Sequence, residues 1–181
     1  MALTVEDGTG LATAESYATV TEADTYHSNL GNASWAPLST AVKEQALRQA
    51  ANWMMQKFRA RWKGWRNYTV QRLDWPRIGV YLDDTAAFPQ HGRLSSFAYM
   101  IPVTTVPSQV KEAQCELALI AATNGPLTPQ SLSQNRLQVK TGPVYVEFDP
   151  RSPQTPRYPV VVQILAPLLQ SAGGGVMKVY R

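Results

Sequence analysis

Apolar side chains return at helical spacing in three stretches of the chain and alternate with polar ones in a fourth. Between positions 41 and 58, Val42, Ala46, Gln49, Ala50, Trp53, Met54 and Lys57 lie close to one helical face, and Ser39 or Thr40 after Pro37 supplies the start. The alanines of this stretch let a second helix approach closely. That helix is predicted after Pro107, with Val110, Ala113, Leu117, Ile120 and Ala121 recurring at the right spacing until Asn124 and Gly125 end the run. Residues 137–140 and 144–148 alternate around Thr141, Gly142 and Pro143 and read as a β-hairpin. A last helix, apolar almost all round, is predicted over 160–169, which suggests burial on several sides.

The remaining stretches are punctuated by glycine and proline. The first 20 residues lack helical periodicity and read as an extended arm, after which Thr21 can cap a short helix over 22–30 with Gly31 at its stop. From 59 to 74 the pattern is irregular and aromatic. Trp75, Pro76 and Arg77 form a turn or an extended piece, because proline disfavours a helical residue before it. Residues 78–105 read as a long loop. The fold class predicted is mainly α: a small helical bundle with a β-hairpin (137–148) and extended N- and C-terminal segments, in one domain over 1–172. Gly173, Gly174 and Gly175 then introduce a flexible tail, 173–181.

Composition narrows the class. Hydrophobic residues make up 44% of the 181 and charged ones only 17%, enough for one core under a thin charged coat, so part of the surface is expected to be covered by partners. The N-terminal sequence has no signal-peptide pattern and no apolar run is long enough to span a bilayer, so no membrane partner is expected. The net charge of +4 conceals an asymmetry: residues 1–42 carry five acids and no Lys or Arg, while residues 43–77 carry nine basic residues against Glu44 and Asp74. Such a separation points to nucleic-acid contact, or to docking of one region on the other within a chain or between copies.

Candidate chemistry is sparse. His27 and His91 lie far apart without cysteine or carboxylate at ligand spacing, so no zinc site is expected. Ser95 and Ser96 near His91 lack a nucleophile elbow, and Gly8-Thr9-Gly10 lacks the rest of any phosphate-binding pattern. Cys115, alone, excludes an internal disulfide and reads as a small buried hydrophobe. The expectation is a protein without catalysis, cofactor or metal. One stretch does carry a binding signal. Trp53, Trp62, Trp65 and Trp75, with Phe58 and Tyr68, are interleaved with the basic residues, and single-strand binders use such interleaving to stack bases and neutralise phosphates. Core packing of the aromatics under solvent-facing arginines explains the same pattern and is the preferred reading, with Trp53 on the apolar helix face and Trp75 anchoring its turn. Arg77 after Pro76 is suited equally to a subunit contact or to a buried loop anchor.

Ordered segments carry a resemblance. They are VEDGTGLATAESYATVTEADTYH at 5–27, ALRQA at 46–50, RWKG at 61–64, QRLDWPR at 71–77, the Ile101-Pro102 and Val106-Pro107 pairs, VKEAQ at 110–114 and VKTGPVYVE at 139–147. This series resembles the tailed-phage head-tail connector (adaptor) family, some of whose members are labelled as similar to a primosomal single-strand DNA-binding protein. The resemblance implies a structural, non-enzymatic subunit of a homo-oligomeric ring, a dodecamer, in the virion neck. Its partners would be the portal protein, the next neck or tail protein, and genomic DNA passing through the lumen without sequence specificity. Assembly would take place in the host cytoplasm. On that reading Arg59, Arg61, Lys63, Arg66, Arg72 and Arg77 are candidates to face a neighbouring subunit or DNA. Val144, Val146 and Phe148 of the hairpin, and Val176, Met177, Val179, Tyr180 and Arg181 of the tail, are candidates to dock on the portal or a neighbour. The alternative is a replication-type protein that binds single-stranded DNA.

Overall fold

The computed structural model describes residues 2–82, 99–127, 138–141, 144–147 and 158–170. Its helices are α1 (Val20–Asn29), α2 (Thr40–Phe58), α3 (Ser108–Asn124) and α4 (Pro159–Leu165), the last followed by a 3-10 turn, Ala166–Leu168. The architecture is mainly α with small antiparallel ribbons, as the apolar periodicity predicts. Among the described residues no helix is long and apolar enough to cross a membrane.

α1 begins two residues before the expected position. Thr19 caps it rather than Thr21, because only Thr19 stands three residues before Glu22: its hydroxyl accepts from the Glu22 N–H at 3.0 Å while the Glu22 carboxylate accepts from the Thr19 N–H at 2.7 Å. This reciprocal box satisfies two backbone donors at once. α2 starts at the predicted Ser39 cap, but its buried face is wider than expected. Lys43, Ala46, Ala50 and Trp53 form one buried row and Leu47, Ala51, Met54 and Phe58 a second, whereas Val42, Gln49 and Lys57 are exposed. Two rows are buried because α2 is covered from two sides, by α1 and by α3.

α3 is the central element and packs on α1, α2 and α4. Gln114, Cys115 and Ala118 are therefore buried beside the expected Val110, Ala113, Leu117 and Ala121. α4 is shorter than the predicted helix. Pro167, which has no N–H to give to an α-helical bond, falls in the 3-10 turn, and Val161 and Leu165 are buried while Val160 and Val162 face solvent, so its burial is one-sided.

The N-terminal arm folds back on itself through a parallel bridge between Val5 and Ser16 and sinks Ala14, Tyr17 and Ala18 into the core. Gln114 holds it there. The side-chain oxygen accepts from the N–H groups of Tyr17 and Ala18 at 2.8 and 3.1 Å, and the amide nitrogen donates to Ser16 Oγ at 2.8 Å and to the Leu47 carbonyl at 2.9 Å. All four hydrogen-bonding positions of one buried amide are filled, which joins arm, α2 and α3.

Three ribbons complete the description. β1 (Trp65–Arg66) pairs antiparallel with β2 (Arg77–Ile78), opposing Trp65 to Ile78 and Arg66 to Arg77. β3 (Tyr81–Leu82) pairs with β4 (Tyr99–Met100), so the stretch expected as a continuous loop contains paired strands at both its described ends. β5 (Gln138–Thr141) and β6 (Val144–Glu147) form the predicted hairpin in the register Gln138 to Glu147 and Thr141 to Val144.

Candidate nucleic-acid interface

The basic stretch sorts its aromatics into two groups. Trp53, Phe58, Trp62 and Trp75 form a continuous buried column of edge contacts that the partly buried Tyr158 extends, with centroid separations of 5.1 Å for Tyr158 to Trp53 and 5.7 Å for Trp62 to Trp75. Its anchor is Asp74, a buried carboxylate that accepts from Arg59 Nε at 2.9 Å and from Trp62 Nε1 at 3.2 Å. The turn carrying Trp75 contains a cis peptide bond before Pro76. Trp65 and Tyr68 form the second group: Trp65 is 73% exposed and Tyr68 41%.

Around these two rings the ribbons bring further apolar surface to solvent. Ile78 stands opposite Trp65, Tyr81 stands opposite Met100, and Val70 lies in the loop between β1 and β2, all exposed. Positive charge is interleaved with them. The ammonium of Lys63 lies 3.3 Å from the carbonyl oxygen of Tyr81. Arg66 donates to the carbonyls of Thr69 and Gln71, and Arg61 sits 5.8 Å from the centre of the Phe58 ring. Among the described residues neither Arg61 nor Arg66 has a carboxylate partner. The surface therefore combines open π faces with cations, in one run from residue 59 to residue 82.

Each predicted candidate has a definite place. Arg59 is tied to Asp74 but half-exposed, and Arg72 is exposed with one nitrogen 3.7 Å from Glu15. Arg77 is buried and donates to the carbonyls of Lys63 at 2.8 Å, Gly64 at 2.6 Å and Asp74 at 3.2 Å. Burial pulls its pKa down from the ordinary guanidinium value, with Asp74 opposing. It clasps the β1–β2 turn and does not reach solvent. Phe148 and the tail residues Val176, Met177, Val179, Tyr180 and Arg181 lie outside the described residues, as do the side chains of Val144 and Val146. Ile78, Tyr81 and Met100 were not foreseen. Nothing in their spacing marks them, because two-residue strands are too short to show alternation.

The charge separation is met within one chain. Glu15 accepts from Arg48 Nε at 2.8 Å, Glu22 pairs with Lys111 at 2.6 Å, and Asp24 pairs with Lys43 at 2.9 Å. The hydrogen bond from Arg48 holds the Glu15 carboxyl below the usual range, and for Asp24 burial is outweighed by bonds from Lys43 and Trp35. Three acids of the N-terminal region are thus paired within the chain, and Arg61 and Arg66, both half-buried, stand without a carboxylate partner among the described residues. Burial pushes the Cys115 thiol up to about 12, so it stays protonated in the core. Among the described residues no group of histidine, cysteine and carboxylate side chains could hold a metal ion.

Solvent-facing aromatics among cations are the side-chain types that base stacking and phosphate contact use. The family model that matches does so over residues 1–181, and its description is "Putative DnaT-like ssDNA binding protein". The chain belongs to this family. No curated protein and no solved structure matches it. The match corrects the connector reading: the ordered motifs were assigned to a portal-docked ring in the virion neck, whereas the family spanning the whole chain is described by single-stranded DNA, the reading held as the alternative. The individual motifs could not decide between the two, since the resemblance joined both labels.

Proposed function

We propose that the chain binds single-stranded DNA without sequence preference, through the surface formed by Trp65, Tyr68, Ile78 and Tyr81 with Lys63, Arg61 and Arg66. The observation that carries this reading is the exposure of Trp65, at 73%, in a stretch whose other tryptophans are buried. An indole that folding leaves in water is free to stack, and every base offers it a π face. Lys63, Arg61 and Arg66 attract the phosphates, while the ribbon positions supply apolar contact for the sugar and base. The family description agrees with this chemistry. The activity proposed is binding, with no bond made or broken.

Fluorescence anisotropy of a labelled oligothymidine across a salt series tests the proposal. Binding should weaken linearly in log–log form, with a slope of about −0.7 for each phosphate neutralised. Trp65→Ala should lower affinity roughly 5- to 150-fold, the worth of one stacked base. Equal affinity for duplex of the same length, or an unchanged constant for Trp65→Ala, would overturn it.

A further inference from the structure

We propose that Gly10 and Gly79 are floors on which Tyr68 and Trp65 stand edge-on as two separate base-stacking posts, and that Glu6 is the positioning residue of the first. The inference rests on the single-stranded DNA reading and specifies how its surface is built. A side chain at Gly10 would place its Cβ 2.2 Å from Cδ2 of Tyr68, 3.0 Å from Cε2 and 3.1 Å from Cγ, so the phenol ring meets the Gly10 backbone with its Cδ2 edge. At Gly79 the Cβ would fall 3.2 and 3.4 Å from Cζ3 and Cε3 of Trp65, so the edge of the six-membered part of the indole rests against that glycine. Both glycines have positive φ, +76° and +71°. The two exposed rings of the stretch therefore share one device, reached through different loops. Each ring has one edge on backbone and is still partly open to water.

This arrangement matters for affinity because an exposed aromatic free to rotate must be ordered when a base stacks on it, and a ring already rested on a backbone floor has given up much of that freedom. The first floor is itself locked. Glu6 is 2% exposed, and its carboxylate accepts from the N–H groups of Gly8 at 2.9 Å, Gly10 at 2.8 Å and Leu11 at 2.9 Å. The Leu11 carbonyl in turn accepts from the N–H of Arg72 at 3.2 Å, and the Tyr68 N–H donates to Gln71 Oε1 at 2.8 Å, which fastens the ring's loop to the glycine loop beneath it. At the other side of the loop Gly8 lies so close to the Thr104 carbonyl that a Cβ would come within 1.9 Å of it. An acid of the N-terminal arm thus acts on the binding surface through the backbone, without facing the ligand.

Double-mutant cycles on oligothymidine affinity test this, with thermal unfolding of every variant measured beside the binding constant. Gly79→Ala, whose added methyl meets only the indole edge, should weaken binding several-fold in the parent chain, leave it unchanged on a Trp65→Ala background, and multiply with Tyr68→Ala. Glu6→Gln and Gly10→Ala should show the opposite pairing, losing their effect when Tyr68 is alanine and multiplying with Trp65→Ala. If Gly10→Ala fails to fold, Glu6→Gln carries the same pairing. Losses that multiply in every combination would mean that the glycines and Glu6 act on stability alone, and would overturn the floors while leaving the DNA reading intact. Absence of oligothymidine binding by the parent chain would overturn the DNA reading, and the posts with it.

Discussion

Trp62 and Trp65 stand three residues apart in one basic stretch and end in opposite environments. Trp62 is 1% exposed, donates its indole N–H to Asp74, and meets Phe58 on one side and Trp75 on the other. Trp65 opens a two-residue strand and faces water. The difference lies in what each backbone position is bonded to. Residues 61–63 pair with the end of the α4 region, where Lys63 N–H donates to the Leu168 carbonyl and Gln170 N–H to the Arg61 carbonyl, so Trp62 is drawn under the helices. Trp65 pairs with Ile78 on a ribbon that no helix among the described residues covers, and its neighbour Arg66 gives Nη2 to the carbonyls of Thr69 and Gln71. The same residue type serves the core at one site and the surface at the next, and the ladder of main-chain bonds decides which.

The largest expected effect follows from this contrast. Trp62→Ala should destabilise the chain by roughly 3–5 kcal/mol, since it empties the middle of the aromatic column and strands the Asp74 carboxylate. Trp65→Ala should change stability by no more than about 0.5 kcal/mol, because little of its surface is removed from water on folding. Urea unfolding of both variants measures the difference. Comparable losses at the two positions would end the distinction between core and surface tryptophan.

Helices were legible because burial on one or two faces leaves a period in the sequence. α3 was readable through Val110, Ala113, Leu117 and Ala121, and α2 through Ala46, Ala50, Trp53 and Met54. The width of the α2 face was not, since Leu47, Ala51 and Phe58 are buried by elements distant in sequence. Basic–aromatic interleaving marked the right stretch for the site but could not sort its members. Burial of Trp62 depends on Leu168 and Gln170, more than a hundred residues away, and exposure of Trp65 depends on the absence of such a partner. Gly10 and Gly79 were invisible as floors, because a glycine's neighbour across space leaves no mark on the residues beside it.

Gln114 sharpens the comparison from the polar side. It stands in the apolar row of α3, four residues after Val110 and three before Leu117, as the one strongly polar side chain buried there. Gln114→Met keeps the volume but leaves the buried Tyr17 N–H without its acceptor, while the Ala18 N–H keeps Ser16 Oγ at 3.2 Å and the Leu47 carbonyl keeps its helical bond, so a loss of about 1–3 kcal/mol is expected. Hydrogen exchange should show the Tyr17 and Ala18 amides losing protection before those of α2. Uniform loss of protection would mean that the amide stabilises the core generally and does not fasten the arm.

The smallest effect belongs to His27, as buried as Trp62 but titratable. Its ring lies 4.5 Å from that of Trp35 and its Nδ1 is 3.1 Å from the Asn32 side-chain nitrogen. Burial lowers its pKa from the ordinary value of 6.5, with Glu116 opposing, so the folded chain keeps the ring neutral where the unfolded chain already binds a proton. Unfolded protein then holds more protons than folded, and stability falls as pH drops through about 6.5, with a slope no steeper than about 1.4 kcal/mol per pH unit for one group. The contribution is fully present above that pH. Glu15 and Asp24, whose pKa values are held down, act in a lower window: their stabilisation persists above the ordinary carboxylate range and is lost as pH falls through and below it. His27→Gln should therefore remove the decline between pH 6.5 and the carboxylate range while keeping the steeper loss in acid. Denaturant unfolding at half-unit steps from pH 8 to pH 4 separates the two windows, and a variant whose stability still declines from about 6.5 would show that burial of His27 is not the cause.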